Sequence, residues 1–275
     1  MKTEDALEIV SQTSTGKVRS HNEDSIACDA ACGLVVLADG MGGYSAGEVA
    51  SSMAVSVVAT EVRRRLQRVA PIDRDEKTGE ELGVVVLRDN IMKANTSIYQ
   101  AAQSQPQYTG MGTTIVAGLF YDNRVAVAHV GDSRMYRLRS GTLEAITRDH
   151  SVLQEQLDAG MISAEEARYS TNKNLVTRAV GVAARMEPEI HVHKVLVGDI
   201  YLLCSDGLND MLEDNVIQST LNAMQNDLAL AAERLVQMAN DNGGRDNITV
   251  VLVKVRDEFV MPHGWLTRLL NWIKE

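Results

Sequence analysis

The chain has 275 residues, 45% of them hydrophobic and 23% charged, which suits a globular protein with a sizeable core. Its formal charge of −10 disfavours a nucleic-acid partner, because phosphate backbones recruit basic surfaces, although bound cations would let an acidic protein take an anionic substrate. No run approaches the roughly 18 apolar residues of a transmembrane segment, the acidic N-terminus lacks a signal-peptide core, and Cys28, Cys32 and Cys204 have neither zinc-site nor redox-pair spacing, so a cytoplasmic protein with reduced, mostly buried thiols is expected.

Residues 7–12 alternate loosely as a first strand, and 15–24 form a polar loop carrying Arg19 ahead of Glu23 and Asp24. Residues 25–29 and 33–38 read as two strands around a tight turn at 30–32. The second is continuously apolar from Leu34 to Ala38, as a strand buried on both faces is, and it is expected to stop at Asp39. Gly40, Gly42 and Gly43 then let the backbone approach a ligand closely. Helical spacing follows over 47–70, through Val49, Met53, Val57, Val62 and Leu66, and again over 82–103, with a charged loop at 71–81 between them. Strands are expected at 113–121, 124–130 and 135–139, with hairpin turns at Asp122-Asn123 and Ser140-Gly141. The polar stretch 147–181 is expected to be mostly helical, with Ser163 as an N-cap. Strands at 189–197 and 199–204, helices near 213–224 and 228–241, and a last strand at 248–255 complete the chain. Hairpin-joined strands with long helices inserted point to antiparallel sheets covered by helices.

Four apolar strands share one feature, an aspartate at an end. Asp39, Asp132 and Asp206 each follow such a strand, and Asp246 precedes the last one together with Asn247. Brought to one rim, four carboxylates repel unless they are protonated or paired with cations, and an all-oxygen set selects Mg²⁺ or Mn²⁺ over zinc. Arg19 offers a planar fork for two oxygens of a phosphoryl group, a geometry that lysine lacks.

In order along the chain, GKVRSHNED (16–24), ADGMGG (38–43), MGTT (111–114), HVGDSR (129–134), SDG (205–207) and GRDN (244–247) resemble the motif series of the PP2C-like (PPM) metal-dependent protein serine/threonine phosphatases, in the form of their bacterial branch. The resemblance implies an α+β fold, a four-layer α-β-β-α sandwich with two central, mostly antiparallel sheets, and a catalytic domain over residues 1–257. It implies two Mn²⁺ or Mg²⁺ ions, with Asp39 bridging them and the Gly40 carbonyl, Asp206 and Asp246 completing the protein ligands. Glu23 matches the acid that holds the second ion directly or through water. Asp132 matches the residue that joins Asp206 at a third ion, and Asp24 and Asn247 stand behind the ligands. Arg19 matches the phosphate-binding arginine. A water activated between the ions would then attack phosphoserine or phosphothreonine in protein substrates, opposing a bacterial Ser/Thr kinase.

Two alternatives belong to other classes: a non-catalytic relative that only binds phosphoproteins, and a metal-dependent phosphodiesterase. The intact set of Arg19, Asp39, Asp206 and Asp246 argues against the first, and the net charge and full motif order argue against the second. Many eukaryotic relatives have histidine in the position of Met41, and methionine cannot protonate a leaving alkoxide. A water on the ions or His21 is the substitute, while His129 reads as a core histidine and His191 with His193 as a surface pair.

Residues 160–181 resemble the family's flap beside the cleft, running from Gly160 and Ser163 through Arg178 to Gly181, and would select phosphopeptides. Residues 258–275 read as an amphipathic helical tail, with Trp265, Leu266, Leu269, Leu270, Trp272 and Ile273 on one face. Such a face suits docking on its own domain, on a partner protein, or on a membrane surface.

Overall fold

The apolar run that starts at Leu34 is buried on both sides, as its composition predicts. It forms the centre of β3 (Leu34–Met41), where Leu34, Val36 and Ala38 pack against helices while Val35 and Leu37 pack against a second sheet. Each such valine or leucine contributes about 1.5–3 kcal/mol by leaving water, so this strand anchors two layers at once. The computed structural model describes residues 3–43, 46–163, 166–167 and 175–260.

The sheet around β3 is ordered β2-β3-β5-β6-β9, with β2 at Asp24–Asp29, β5 at Ile115–Tyr121, β6 at Arg124–Val130 and β9 at Glu189–Lys194. The other sheet is ordered β1-β11-β10-β7-β8, with β1 at Leu7–Ser14, β7 at Arg134–Arg139, β8 at Thr142–Ala145, β10 at Ile200–Cys204 and β11 at Ile248–Val255. The pairings in both are antiparallel. Before β1 lies a single turn, α1 (Thr3–Ala6). Helices α2 (Ala46–Leu66) and α3 (Leu82–Ser104) bury an apolar face on the first sheet. A short helix, α4 (Val152–Asp158), follows β8, and α5 (Asp206–Asn209) follows β10. Helices α6 (Asp214–Ala223) and α7 (Leu228–Asp241) cover the second sheet. A third apolar core, including Val35, Leu37, Phe120, Tyr201 and Val251, fills the space between the sheets. This is the expected four-layer α-β-β-α sandwich.

Several boundaries differ for local reasons. β3 does not stop at Asp39 but continues to Met41, because Gly40 and Met41 pair with the short β4 (Gly112–Thr113). Helix α2 ends at Leu66, where Arg63, Arg64 and Arg65 place positive charge at the negative end of the helix dipole. Among the described residues, 147–181 is mostly loop rather than helix. Its described helical residues are α4, which Ser151 caps by accepting from Gln154 N at 3.2 Å, and the pair 166–167. Isolated bridges from Ser151 to Val176 and from Thr113 to Val180 hold residues 175–181 on the sandwich. Ser163 and Glu166 bond reciprocally at 2.8 and 3.2 Å, the capping-box pattern. The hairpin turns occur where expected, with φ of 48° and 54° at Asp122 and Asn123 and of 50° and 83° at Ser140 and Gly141. Of the cysteines only Cys204 is fully buried; Cys28 is exposed and Cys32 intermediate. Among the described residues no helix is long and apolar enough to cross a membrane. The amphipathic segment 265–275 lies outside the described residues.

Candidate metal centre

One end of the sandwich collects the acids, and both sheets deliver them. Asp24 opens β2 and stands directly opposite Asp39 in the antiparallel ladder, a position in which like charges repel. Asp132 occupies the turn between β6 and β7, Asp206 is the first residue of α5 just past β10, and Asp246 comes just before β11. Asp39, Asp132, Asp206 and Asp246 line one cleft of about 210 Å³ with Arg19, Glu23, Gly40, Met41, Gly42, Thr114 and Val176.

Burial drives the Asp39 and Asp206 carboxyls well above the ordinary range. The neighbouring aspartates push the same way, Asp24, Asp206, Asp132 and Asp246 on Asp39, and Asp132, Asp210, Asp246 and Asp24 on Asp206. Burial also pushes Asp24 and Asp132 up to about 6. For Asp24 the hydroxyls of Thr249 and Ser205 pull the other way, donating to Oδ2 at 2.6 and 2.9 Å. Oδ1 of Asp24 and Oδ1 of Asp206 are buried without a hydrogen-bond partner among the described residues. An unsatisfied buried acceptor costs about 1–3 kcal/mol, more when charged, so two of them in one acidic cluster ask for a positive partner. A hard divalent cation answers that need, because the lining acids are the carboxylates of Glu23, Asp39, Asp132, Asp206 and Asp246, and the described lining holds no thiolate or imidazole.

Glu23 lies over the start of α2. Burial raises its carboxyl, while Arg19 and the backbone N–H of Glu48 lower it. The helix N-terminus holds it only because two glycines are there. A Cβ on Gly40 would run into the carbonyl oxygen of Gly47, and one on Gly47 would lie 2.8 Å from the Glu23 carboxyl carbon. Gly40→Ala is therefore expected to cost about 1–3 kcal/mol by overpacking, read as a lower urea midpoint. Gly43→Ala, with nothing within 4 Å of the added Cβ, should shift it by less than about 0.5 kcal/mol. Equal midpoints for the two variants would contradict the close approach.

The loop that carries Arg19 is held by Asn247. Its Nδ2 donates to the carbonyls of Thr15 and His21 at 3.0 and 2.9 Å, and its Oδ1 accepts from Glu23 N at 2.8 Å. Arg19 Nη2 donates to Asp246 Oδ2 at 2.6 Å, which stations the half-exposed guanidinium on the cleft rim. Thr114 joins the two sides of the cleft, since its Oγ1 accepts from Asp39 N at 3.1 Å and pairs with Ser133 Oγ at 2.7 Å. Sequence reasoning gave no role to Thr114 or Val176. Thr114 stood within the MGTT motif and so carried a signal, whereas Val176 is one apolar residue in a polar loop.

Other residues named from the sequence lie outside the cleft lining. His21 is exposed and contributes its carbonyl to Asn247. Gly160 ends the turn after α4, Ser163 belongs to the capping box, and Gly181 donates its N–H to Asn95 Oδ1 at 2.7 Å. Arg178 contacts His150 Nε2 at 3.0 Å and donates to the Glu187 carbonyl. The ligand atoms of His129, His150 and Glu189 lie within 4.8 Å of one another, as in a metal site. There the Arg178 guanidinium already supplies the positive charge, and His129 Nε2 is engaged by the Arg148 carbonyl at 2.8 Å. The rings of His129 and His150 stack at 4.7 Å, so this group reads as a packed junction. His191 is exposed and bonds to Glu189 at 2.8 Å, as a surface residue. A larger cavity of about 750 Å³, beside Cys32, Leu66, Pro71 and Tyr121, contains one acid, Asp29, already paired with Arg63. Size does not mark the chemistry here; converging carboxylates do.

Residues 12–249 match the family described as Protein phosphatase 2C. The chain is 39% identical over 251 residues to the serine/threonine protein phosphatase PstP of Mycobacterium tuberculosis, covering 91% of this chain and 45% of that protein, so it spans less than half the length of that relative. It is 37% identical over 246 residues to the serine/threonine phosphatase stp of Listeria welshimeri, covering 88% of this chain and 94% of the relative. The crystal structure of the PstP catalytic domain in complex with two manganese ions matches with a TM-score of 0.78 and 38% identity, covering 92% of this chain and 99% of that one.

Proposed function

Because the chain belongs to the protein phosphatase 2C family, we propose that it hydrolyses phosphoserine and phosphothreonine in proteins, using Mn²⁺ or Mg²⁺, and that it reverses the action of a bacterial Ser/Thr kinase. The observation that carries this reading is the convergence of Asp39, Asp132, Asp206 and Asp246 on one cleft, with Oδ1 of Asp206 lacking a hydrogen-bond partner among the described residues. Asp39, the Gly40 carbonyl, Asp206, Asp246 and Glu23 would hold two cations, and Asp132 with Asp206 a third. Bound there, the cations would neutralise charge on the phosphoryl oxygens and acidify a water near neutral pH.

The chain's own groups do the rest. Arg19, steered by Asp246 and by the Asn247 clamp, meets the phosphoryl oxygens with its planar fork. Met41 lines the cleft and holds no transferable proton, so protonation of the leaving alkoxide falls to water. A side-chain nucleophile is disfavoured by what surrounds Asp206. Burial pushes the Cys204 thiol up to about 12, and Ser205 Oγ is tied between Asp24 and Thr249 N, at 2.9 and 3.0 Å. Val176 closes one side of the cleft, which gives the segment 160–181 a place from which to select substrates.

The direct test uses an aryl phosphate and a phosphothreonine peptide. Hydrolysis is expected with added Mn²⁺ and is expected to fall at least about a hundredfold in EDTA. Binding of the phosphopeptide without turnover under any divalent cation would favour a non-catalytic phosphoprotein-binding role instead. Arg19→Lys keeps the charge and loses the fork, so kcat/KM for the peptide should fall about 10–100-fold while thermal stability stays unchanged. An unchanged kcat/KM would remove Arg19 from phosphate binding.

A further inference from the structure

Several exposed apolar side chains lie near where the described chain ends. Val192 on β9, Leu196 and Val197 in the loop after it, and Val260 are 42%, 41%, 55% and 51% exposed. Asn123 ties two of these segments together: its carbonyl accepts from Val195 N at 2.9 Å and its Oδ1 accepts from Phe259 N at 2.8 Å. Phe259 is itself buried in the core between the sheets, so the chain leaves the sandwich beside Leu196 and Val197. A recess of about 180 Å³ opens there, walled by Lys194, Val195, Leu196, Val197, Asp257 and Glu258.

The sequence that follows fits such a surface. Pro262 and Gly264, residues at which chains readily change direction, precede Trp265. Five residue steps at ~3.3–3.6 Å each keep Trp265 within about 18 Å of Val260, a reach that includes the patch. Beyond it, Trp265, Leu266, Leu269, Leu270, Trp272 and Ile273 recur at helical spacing on one face. Arg268 and Lys274, off that face, carry charge opposite to Asp257 and Glu258.

We propose that residues 261–275 fold back on this patch and cover Leu196, Val197 and Val260 with the face that carries both tryptophans. The inference is independent of the catalytic reading.

Trp265 and Trp272 are the two tryptophans of the chain, so tryptophan emission of the full-length protein reports on this segment alone. The expected emission is blue-shifted from that of a free tryptophan amide, protected from acrylamide, and independent of protein concentration. Leu196→Asp with Val197→Asp should shift it to the red while far-UV circular dichroism stays the same. Leu230→Asp, at an exposed position of α7, should leave it in place. If the double variant does not fold, Val260→Asp is read in the same way.

Four outcomes would overturn the proposal. Emission at the solvent-exposed position in the dilute native protein shows that the face is uncovered. A blue shift that grows with concentration assigns the cover to a second copy of the chain, and one that needs anionic lipid vesicles assigns it to a membrane. A blue shift that the patch variants leave unchanged places the segment elsewhere, as in the cavity beside Leu66 and Pro71.

Discussion

Asp39→Asn is expected to abolish most turnover and, in the metal-free protein, to raise stability. The carboxylate stands opposite Asp24 and within the field of Asp206, Asp132 and Asp246, all of which push its proton affinity up. Removing the charge relieves that repulsion, which should add about 0.5–2 kcal/mol to the metal-free fold, read as a higher thermal midpoint in EDTA. The same change removes the proposed bridging ligand, so hydrolysis of an aryl phosphate with Mn²⁺ should drop at least about 10²–10³-fold. Opposite signs for stability and activity are the signature of a charge retained for function. A metal-free variant less stable than the native chain would show that Asp39 has a favourable partner within the protein.

The second large effect is the pH dependence of stability without metal. Asp24 and Asp132 are pushed up to about 6, and Asp39 and Asp206 well above the usual carboxylate range. An aspartate in the unfolded chain titrates near ~3.9. Between that value and the raised folded values, the folded state binds more protons than the unfolded state, so stability falls as pH rises. The metal-free protein should therefore lose on the order of 3 kcal/mol or more between about pH 4 and pH 7 on account of these groups. Divalent cations compete with those protons. Mn²⁺ at ~100 times its dissociation constant adds about 2.7 kcal/mol for one site, and the rise in thermal midpoint should be larger at pH 7.5 than at pH 5. Thermal unfolding at the two pH values, with and without Mn²⁺, checks both signs. A midpoint in EDTA that climbs with pH would show that other titrating groups outweigh the aspartate cluster.

Much of this was legible from strand ends. A continuous apolar run followed by aspartate located Asp39, Asp132 and Asp206, and the polar loop before β2 located Arg19 and Glu23. Spacing alone could not show that Asp24 faces Asp39, because that contact is a matter of ladder register. Nor could it show that Asn247 reaches back to Thr15 and His21, more than two hundred residues earlier. β8 escaped because TLEA, a largely exposed edge strand, is only four residues long, too short for its alternation to stand out. Among the described residues of 147–181, helix is confined to α4 and 166–167, for the opposite reason. The composition favours helix locally, but pairing of Val176 with Ser151 and of Val180 with Thr113 holds the described residues 175–181 against the sandwich.

The acids come from both sheets, and Asp24 on the first is bonded to Ser205 and Thr249 on the second. No fragment that builds one sheet alone assembles the ring. A partly folded chain displays the same carboxylates but not their convergence, so the proposed cations would bind strongly only once the two sheets have closed on each other. The proposed cations would thus act as a clasp that only the finished sandwich can close.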